Sequence, residues 1–538
     1  MKIVRFFAAS AMALALVSLG AAAPALAAPA ASTAAVPAYN LDADVKLALK
    51  TFDVPGIAIA IVKDGKVVAT RGYGVRKLGD PTPVDGKTLF EVASNSKGFT
   101  AAALAMLVDE GKLKWDDPVT MHLPGFQMHD SYVTGAMTIR DLLTHRSGLG
   151  LGAGDLLWWP STEFSTDEII SKLRYIKPAT SFRSSYAYDN LLYIVAGKII
   201  AEKDGKTWGQ SIHDRILAPL SMNGTRTSVA DMLATANYSA PHSKIDGKAA
   251  VVKPMPVPNA VGAVGIDTSA EDIARWMTVL LDEGKTPDGK QLISAAQLGE
   301  LWSQQTPMRI REPKPPLAAT KPNFASYGLG FSLRDYKGRK IAMHGGALQG
   351  FYSTVLMVPE EKLGIAILTN AENSPAMAAL YWRILDHYLK VPSSDWIKLY
   401  ADQQEASHKE ELERQAKATT ARAAESQPSL PLAAYDGEYE DAWYGTATIG
   451  EEHGKRIMRF ARTPDLTGEL EHFQHDTFIV RWKERNFNAD AYVTFSLNPD
   501  GSIDRMKMAP ISTETDFSYD FRDLEFKPKA KPPVAATL

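Results

Sequence analysis

Apolar and polar positions follow two different rhythms along this chain. Near the start, GIAIAIV at 56–62 and a second β-rich run at 67–75 flank Lys63-Asp64-Gly65-Lys66. An Asp-Gly pair between two such runs predicts a β-hairpin. The same vocabulary returns between 338 and 370, where IAMH, FYSTVLMV and GIAILTN are separated by short connections, one of them Pro-Glu-Glu-Lys. Connections this short make the strands antiparallel neighbours. Between the two β-rich ends the apolar spacing becomes helical, over 96–110, 165–173, 191–202, 270–281 and 297–302, with loops dense in Gly, Pro, Asn and Ser. A further amphipathic run, 375–389, is expected to pack on the sheet. The pattern predicts an α/β (α+β) architecture: an antiparallel sheet from the two ends of the domain, flanking helices and an inserted helical subdomain.

The pattern then breaks. From 401 to 427 the chain is rich in Glu, Lys, Gln and Ala until Pro428 and Pro431 end the run, which reads as a charged helical linker. Beyond it the texture is wholly β, with TFIVRWK, AYVTFSL and the turn Asn498-Pro499-Asp500-Gly501. Strands at such short spacing suggest a small all-β barrel. At the other end, Lys2 and Arg5, an apolar stretch over 6–19 and Ala25-Leu26-Ala27 predict a cleaved export signal at 1–27. The expected organisation is therefore a signal at 1–27, a catalytic domain at 33–395, a linker at 396–430 and a β-barrel at 431–528.

Composition narrows the function. The 538 residues are 45% hydrophobic and 22% charged with a net charge of −3, so there is no basic excess to coat nucleic acid or anionic lipid. No stretch after the signal is long and apolar enough to span a bilayer, and the protein is expected to be periplasmic or secreted. Cysteine is absent, which excludes thiolate nucleophiles and thiolate metal sites. Covalent catalysis must rest on an oxygen or an amine. No cofactor or metal is called for, and a homo-oligomer is left open.

Three short motifs carry candidate chemistry. Ser94-Asn95-Ser96-Lys97 opens a helix, and a serine and lysine three positions apart share a face, so the amine can reach the hydroxyl. The same helix start offers unpaired N–H groups to a developing oxyanion. Tyr188-Asp189-Asn190 follows a loop and precedes an apolar helix. Its tyrosine can serve as acid or base, and Asn190 can bind a substrate carbonyl or the lysine. His344-Gly345-Gly346 is expected to end a strand, where small residues let a substrate lie as an added edge, with His344 donating and the Ala347 N–H facing the reacting carbonyl. Trp158-Trp159-Pro160 is read as either a cleft wall or core packing, and Arg183 as either as well.

Together these residues resemble the penicillin-binding-protein and class C β-lactamase-like superfamily of serine hydrolases, which includes peptidase family S12. Ser-x-x-Lys, Tyr-x-Asn and [Lys/His]-x-Gly match Ser94–Lys97, Tyr188–Asn190 and His344–Gly346. LLTHRSGL at 142–149, LAPLSMNGTRTS at 217–228 and GAVGIDTSAEDIARW at 262–276 accompany them, and the tail resembles the lipocalin-like domain of some S12 peptidases. The resemblance implies an acyl-enzyme mechanism: Ser94 attacks, Lys97 and Tyr188 share the proton transfers, and the N–H groups of Ser94 and Ala347 hold the oxyanion. Asn190 orients Lys97 and the substrate. Which of Lys97 and Tyr188 is the base stays open. His344 stands where many β-lactamases carry lysine, which ranks β-lactamase activity below amide or ester hydrolysis. The expected activity is hydrolysis of short peptides, including ones with D- or non-standard residues as in D-aminopeptidase-like members. A carboxylesterase, a β-lactamase and a non-hydrolytic penicillin-binding sensor are the alternatives.

Overall fold

The first predicted hairpin forms as β1 (Gly56–Lys63) and β2 (Lys66–Lys77), turned by Asp64 and Gly65 at φ 52° and 73°. Both residues occupy the left-handed region that a tight two-residue hairpin turn requires. The computed structural model describes residues 39–529 apart from 246, 421 and 424, so the expected export signal at 1–27 lies outside the described residues. None of the described helices is long and apolar enough to cross a membrane.

Seven further strands complete the first sheet: β3 (Asp80–Pro83), β4 (Thr306–Pro307), β5 (Ala325–Tyr327), β6 (Ser332–Tyr336), β7 (Arg339–Leu348), β8 (Phe351–Val358) and β9 (Leu363–Thr369). Their order is β3-β2-β1-β9-β8-β7-β6-β5-β4, so the two ends of the domain meet where β1 pairs antiparallel with β9, Ile57 opposite Thr369. The helices that frame this sheet and the site are α1 (Leu41–Phe52), α2 (Ser96–Asp109), α3 (Leu191–Asp204), the single turn α4 (Val261–Val264), α5 (Ala270–Leu281), α6 (Ser374–Tyr388) and α7 (Trp396–Thr420).

The alternation within β1 divides the interior. Ile57, Ile59 and Ile61 join Val45 and Phe52 of α1 and Leu380 and Ile384 of α6 on one face. Ala58, Ala60 and Val62 face the other way, into the core that holds α2 and α5. The small side chains on that second face let helices come close; in β9 a Cβ on Gly364 would already stand 3.1 Å from Met277 and Leu281 of α5. With both faces covered, the strand is apolar throughout, and each buried isoleucine contributes about 1.5–3 kcal/mol.

α2 and α3 are buried on nearly all sides, as helices without a polar stripe must be. They meet α4 at a contact that admits no side chain. A Cβ on Gly262 would stand 2.4 Å from the Tyr193 carbonyl and 3.0 Å from Gly197 Cα. The approach delivers the Gly262 carbonyl to the Thr100 hydroxyl at 2.7 Å and the Ala263 carbonyl to Lys97 Nζ at 3.2 Å. Gly262→Val is therefore expected to cost about 3 kcal/mol, because overpacked backbone contacts cannot relax without moving a helix. Urea denaturation of the variant beside wild type checks this; an unchanged midpoint would contradict the close approach.

The charged run forms α7, which begins at Trp396, earlier than its charged composition suggests, because Trp396 and Ile397 are buried against α6. Beyond it lie β10 (Gly437–Asp441), β11 (Gly445–Glu452), β12 (Lys455–Phe460), β13 (Thr463–Gln474), β14 (Thr477–Trp482), β15 (Ala491–Leu497), β16 (Ile503–Pro510) and β17 (Lys527–Pro528). They form one antiparallel sheet in the order β16-β15-β14-β13-β12-β11-β10-β17. Met506 and Phe526 exchange N–H···O bonds of 2.8 and 3.1 Å, which nearly closes the sheet into an eight-stranded barrel over an aromatic core that includes Tyr435, Phe460, Phe478 and Trp482. This core is continuous with that of the nine-stranded part: Phe164 meets Tyr444 edge to face with centroids 5.7 Å apart, and Arg462 pairs with Glu168 at 3.1 Å.

Candidate active site

Ser94 lies in the 3₁₀ turn Ala93–Asn95 that leads into α2. Ala93, immediately before it, has φ 49°, a left-handed conformation that costs a residue with a Cβ about 1 kcal/mol or more. Surrounding bonds hold the turn: Asn95 Nδ2 donates to Ser353 Oγ at 2.8 Å, Ser353 Oγ donates to the Val92 carbonyl at 2.9 Å, and Ser96 Oγ accepts the Ile266 N–H at 2.9 Å.

One helical turn on, Lys97 is wholly buried. Its Nζ stands 2.9 Å from Ser94 Oγ, 2.7 Å from Asn190 Oδ1 and 3.2 Å from the Ala263 carbonyl. The last two partners only accept as oriented, so a neutral amine gives its two protons to them and turns its lone pair to the Ser94 hydroxyl. Burial pulls the lysine down to about 7, against the raising influence of Asp155 and Asp189. A substantial fraction is thus neutral near physiological pH.

Asn190 immediately precedes α3, makes no side-chain cap to it, and is fixed from behind: its Nδ2 donates to Asp155 Oδ2 at 2.8 Å. Tyr188, two residues before it, is partly buried. Burial drives its hydroxyl well above its ordinary value, against a hydrogen bond with Ser94 that lowers it. Its ring lies 5.0 Å from Lys97 Nζ and 6.1 Å from the His344 ring.

His344 does not end its strand. β7 runs on through Gly345, Gly346 and Ala347 to Leu348, because these residues pair with β8, Gly345 opposite Thr354 and Gly346 opposite Ser353. β6 pairs only with Arg339–Met343, so beyond Met343 the outer edge of β7 carries no strand among the described residues. Gly346 is required by contact: a Cβ there would stand 2.0 Å from the Val92 carbonyl and 2.5 Å from Ser353 Oγ. At Gly345 a Cβ would meet only the Ser353 carbonyl, at 3.9 Å. Gly346→Ala is expected to push β7 off the Ser94 turn and lower kcat about 100-fold with the fold retained, since an ångström of misplacement suffices. Ester turnover beside circular dichroism checks this.

The His344 ring is engaged on both sides. Nδ1 lies 2.5 Å from the Gly345 carbonyl, which can only accept, so Nε2 accepts from the Tyr327 hydroxyl at 2.9 Å. Burial, reinforced by the Lys97 charge, lowers its pKa to about 3, and the imidazole is neutral. Ala347 lines a cavity of about 100 Å³ together with Trp159, Gln349, Tyr519 and Asp516. Arg183 sits elsewhere, donating from Nε to Asp141 Oδ1 at 3.0 Å.

The structure thus gathers Ser94, Lys97, Tyr188, Asn190 and His344, and sets β7 against the Ser94 turn at Gly346. Three participants are missing from the sequence reading. Tyr327 holds His344, Asp155 holds Asn190, and Ser518 donates to Asp155 at 2.8 Å. The only local signal was the Gly-rich loop at 150–154, which turns tightly into Asp155 with Gly152 and Gly154 at positive φ.

A nine-stranded antiparallel sheet backed by helices, with a buried lysine against a serine at the start of its central helix, defines a β-lactamase-like, penicillin-binding-protein-like serine hydrolase. The chain belongs to the Beta-lactamase family, which it matches over residues 41–389, and residues 421–528 match a domain of unknown function (DUF3471). Unguisins hydrolase ungD' of Aspergillus campestris (strain IBT 28561) is 30% identical over 490 residues, covering 85% of this chain and 86% of its own. Protein flp of Staphylococcus aureus (strain NCTC 8325 / PS 47) is 26% identical over 384 residues, covering 68% of this chain and 70% of its own. In fold, the octameric penicillin-binding protein homologue from Pyrococcus abyssi superposes with a TM-score of 0.58 at 20% identity, over 90% of this chain and 98% of that one.

Proposed function

We propose that the protein is an exported serine hydrolase that cleaves amide bonds of short peptides, including ones with D- or non-standard residues, through an acyl-enzyme on Ser94. The observation that carries this reading is the placement of Lys97 Nζ 2.9 Å from Ser94 Oγ with its other contacts filled by Asn190 and Ala263. The Ser94 hydroxyl passes its proton to Lys97 as Oγ bonds to the substrate carbonyl carbon. The N–H groups of Ser94 and Ala347 hold the oxyanion. When the carbon–nitrogen bond breaks, the leaving amine takes the proton back, through Tyr188 or directly. Water, deprotonated by the same groups, then releases the acid and restores the Ser94 hydroxyl. Lys97 is the base in this scheme and Tyr188 the relay, because burial lowers the first and raises the second.

A relative named Unguisins hydrolase aligns over most of both chains, in support of hydrolysis. One observation favours a peptide. The free edge of β7 past Met343 can accept an extended backbone as an added strand. The neutral His344 supplies no cation for a drug carboxylate, which places β-lactamase activity lower. A carboxylesterase remains the second reading, since the acyl-enzyme step serves esters equally.

A panel of short L- and D-containing peptides and p-nitrophenyl esters, with products identified by mass spectrometry, tests the proposal. Peptide cleavage that matches or exceeds ester cleavage in kcat/KM is expected. Ester turnover far above that of every peptide would favour the esterase. For export, the N-terminus of the protein recovered from periplasm or medium should begin after residue 27; an intact Met1 would reject it.

A further inference from the structure

The connection between β16 and β17 leaves the barrel and reaches the loop that carries Asp155. Ser518 Oγ donates to Asp155 Oδ2 at 2.8 Å, while Asp520 accepts from the N–H groups of Gly154 at 2.6 Å and Leu156 at 3.3 Å. Phe517 stands edge-on to Tyr188 with ring centroids 5.9 Å apart, and a Cβ on Gly152 would come within 2.7 Å of its ring. Asp155 is wholly buried and takes donors on both oxygens: Trp158 Nε1 on Oδ1 at 2.8 Å, and Asn190 and Ser518 on Oδ2. Since Asn190 Oδ1 faces Lys97 Nζ at 2.7 Å, a chain of hydrogen bonds runs from the barrel through Asp155 and Asn190 to the lysine. Asp155, Asn190, Lys97 and Ser518 are all buried.

We propose, on the Ser94 hydrolase reading, that Ser518 of the barrel is a positioning residue for Lys97: its hydroxyl holds the Asp155 carboxylate that locks Asn190 against the lysine, so the active site is complete only with the barrel in place. The chemistry follows from what a buried carboxylate needs. Taken out of water, it stays ionised only while donors and a cation compensate it. Burial pushes Asp155 up to about 7, while Trp158, Ser518, Asn190 and the Lys97 charge pull it down. Of the other groups facing this pair, Asp189 lies near Lys97, His145 and His344 are both lowered by burial and by the Lys97 charge, Asp520 repels Asp155 and is itself pushed well above its ordinary value by burial, and burial raises Tyr188. None of these replaces the lost donor. Without the Ser518 hydroxyl, Asp155 is more protonated at every pH. The state with a charged Asp155 and a neutral Lys97 then becomes populated only at higher pH.

The experiment uses the full chain with Ser518→Ala and Ser518→Thr. In Ser518→Ala the acid limb of kcat/KM for a p-nitrophenyl ester should move up by about one pH unit, as loss of one donor to a buried charge predicts, and Ser518→Thr should restore it. A merely structural serine would lower activity without moving the limb. The Asp155 carboxyl is also read directly by the ¹³Cγ shift of aspartate-labelled protein, assigned by its loss in Asp155→Asn. Its titration should move upward in Ser518→Ala and return in Ser518→Thr. An unmoved carboxyl titration overturns the proposal whatever the substrate. Ester turnover that survives Ser94→Ala overturns the hydrolase reading instead, and the carboxyl titration then still judges the link between barrel and Asp155.

Discussion

Ser94→Ala is expected to remove turnover almost entirely, lowering kcat by about 10⁶-fold, the loss seen when a serine nucleophile that works as a unit with its base is deleted. The substitution leaves the frame alone. The turn is held by Asn95, Ser96 and Ser353 rather than by the Ser94 hydroxyl, whose own partner is Lys97. Stability should therefore stay close to wild type. Intact-mass spectrometry after treatment with a fluorophosphonate or a penicillin gives the sharpest readout: one adduct on wild type and none on the variant. An adduct that persists in Ser94→Ala would remove Ser94 from the chemistry. A stable adduct on wild type with no turnover of any ester or peptide would favour the sensor over the enzyme.

Lys97→Met tests the base with a side chain of similar length that carries no amine. Loss of general-base assistance should lower kcat/KM by about 10³-fold. In wild type, kcat/KM should rise with pH through about 7, where the buried lysine gives up its proton, and fall toward acid as it is held protonated. That limb should vanish from the residual activity of Lys97→Met. The same variant should be more stable than wild type, and the pH dependence of the gain has a definite sign. The folded-state pKa lies below the unfolded one, so the unfolded chain binds more protons between the two values. The destabilisation caused by the buried lysine is therefore complete below about 7 and fades as pH rises toward 10.5. Melting temperatures should show the advantage of Lys97→Met at pH 6 and little of it near pH 10. An advantage that grew with pH would mean that the fold raises the lysine's pKa and holds the buried amine charged, against the base role. A buried amine that costs stability is what a preorganised base would entail.

Much of the frame was legible because it rests on local signals. Asp64-Gly65 between two β-rich runs could hardly form anything but a hairpin, and the 270–281 helix emerged with those same limits because Ser269 caps it and its apolar stripe is regular. Ser94 and Lys97 were readable together because helical geometry fixes their separation. The run through His344 was misread for a physical reason. Gly345 and Gly346 have poor strand propensity, so the sequence suggests an end, yet pairing with Thr354 and Ser353 of β8 carries the strand to Leu348. Asp155 and Ser518 were invisible for a different reason. Their bond joins positions 363 apart, and no periodicity or spacing rule reaches that far. His344 was readable as a site residue, but its neutrality depends on burial and on Tyr327, neither of which a sequence displays.

The meeting of β1 with β9 also sets a condition on how the molecule is made. Gly56 N–H is bonded to Asn370 Oδ1, 314 positions away, and β1 is apolar on both faces. Until β9 has been synthesised, GIAIAIV has only its hairpin partner β2 on one side and an uncovered edge on the other. Closing so long a loop is slow, because its entropy is lost before the contacts that reward it are made. Through that interval the nascent chain presents a flat, uncharged strand of the kind that pairs with other chains. Yield and inclusion-body formation during synthesis should therefore respond to temperature and to chaperone supply more steeply than the stability of the finished fold would suggest.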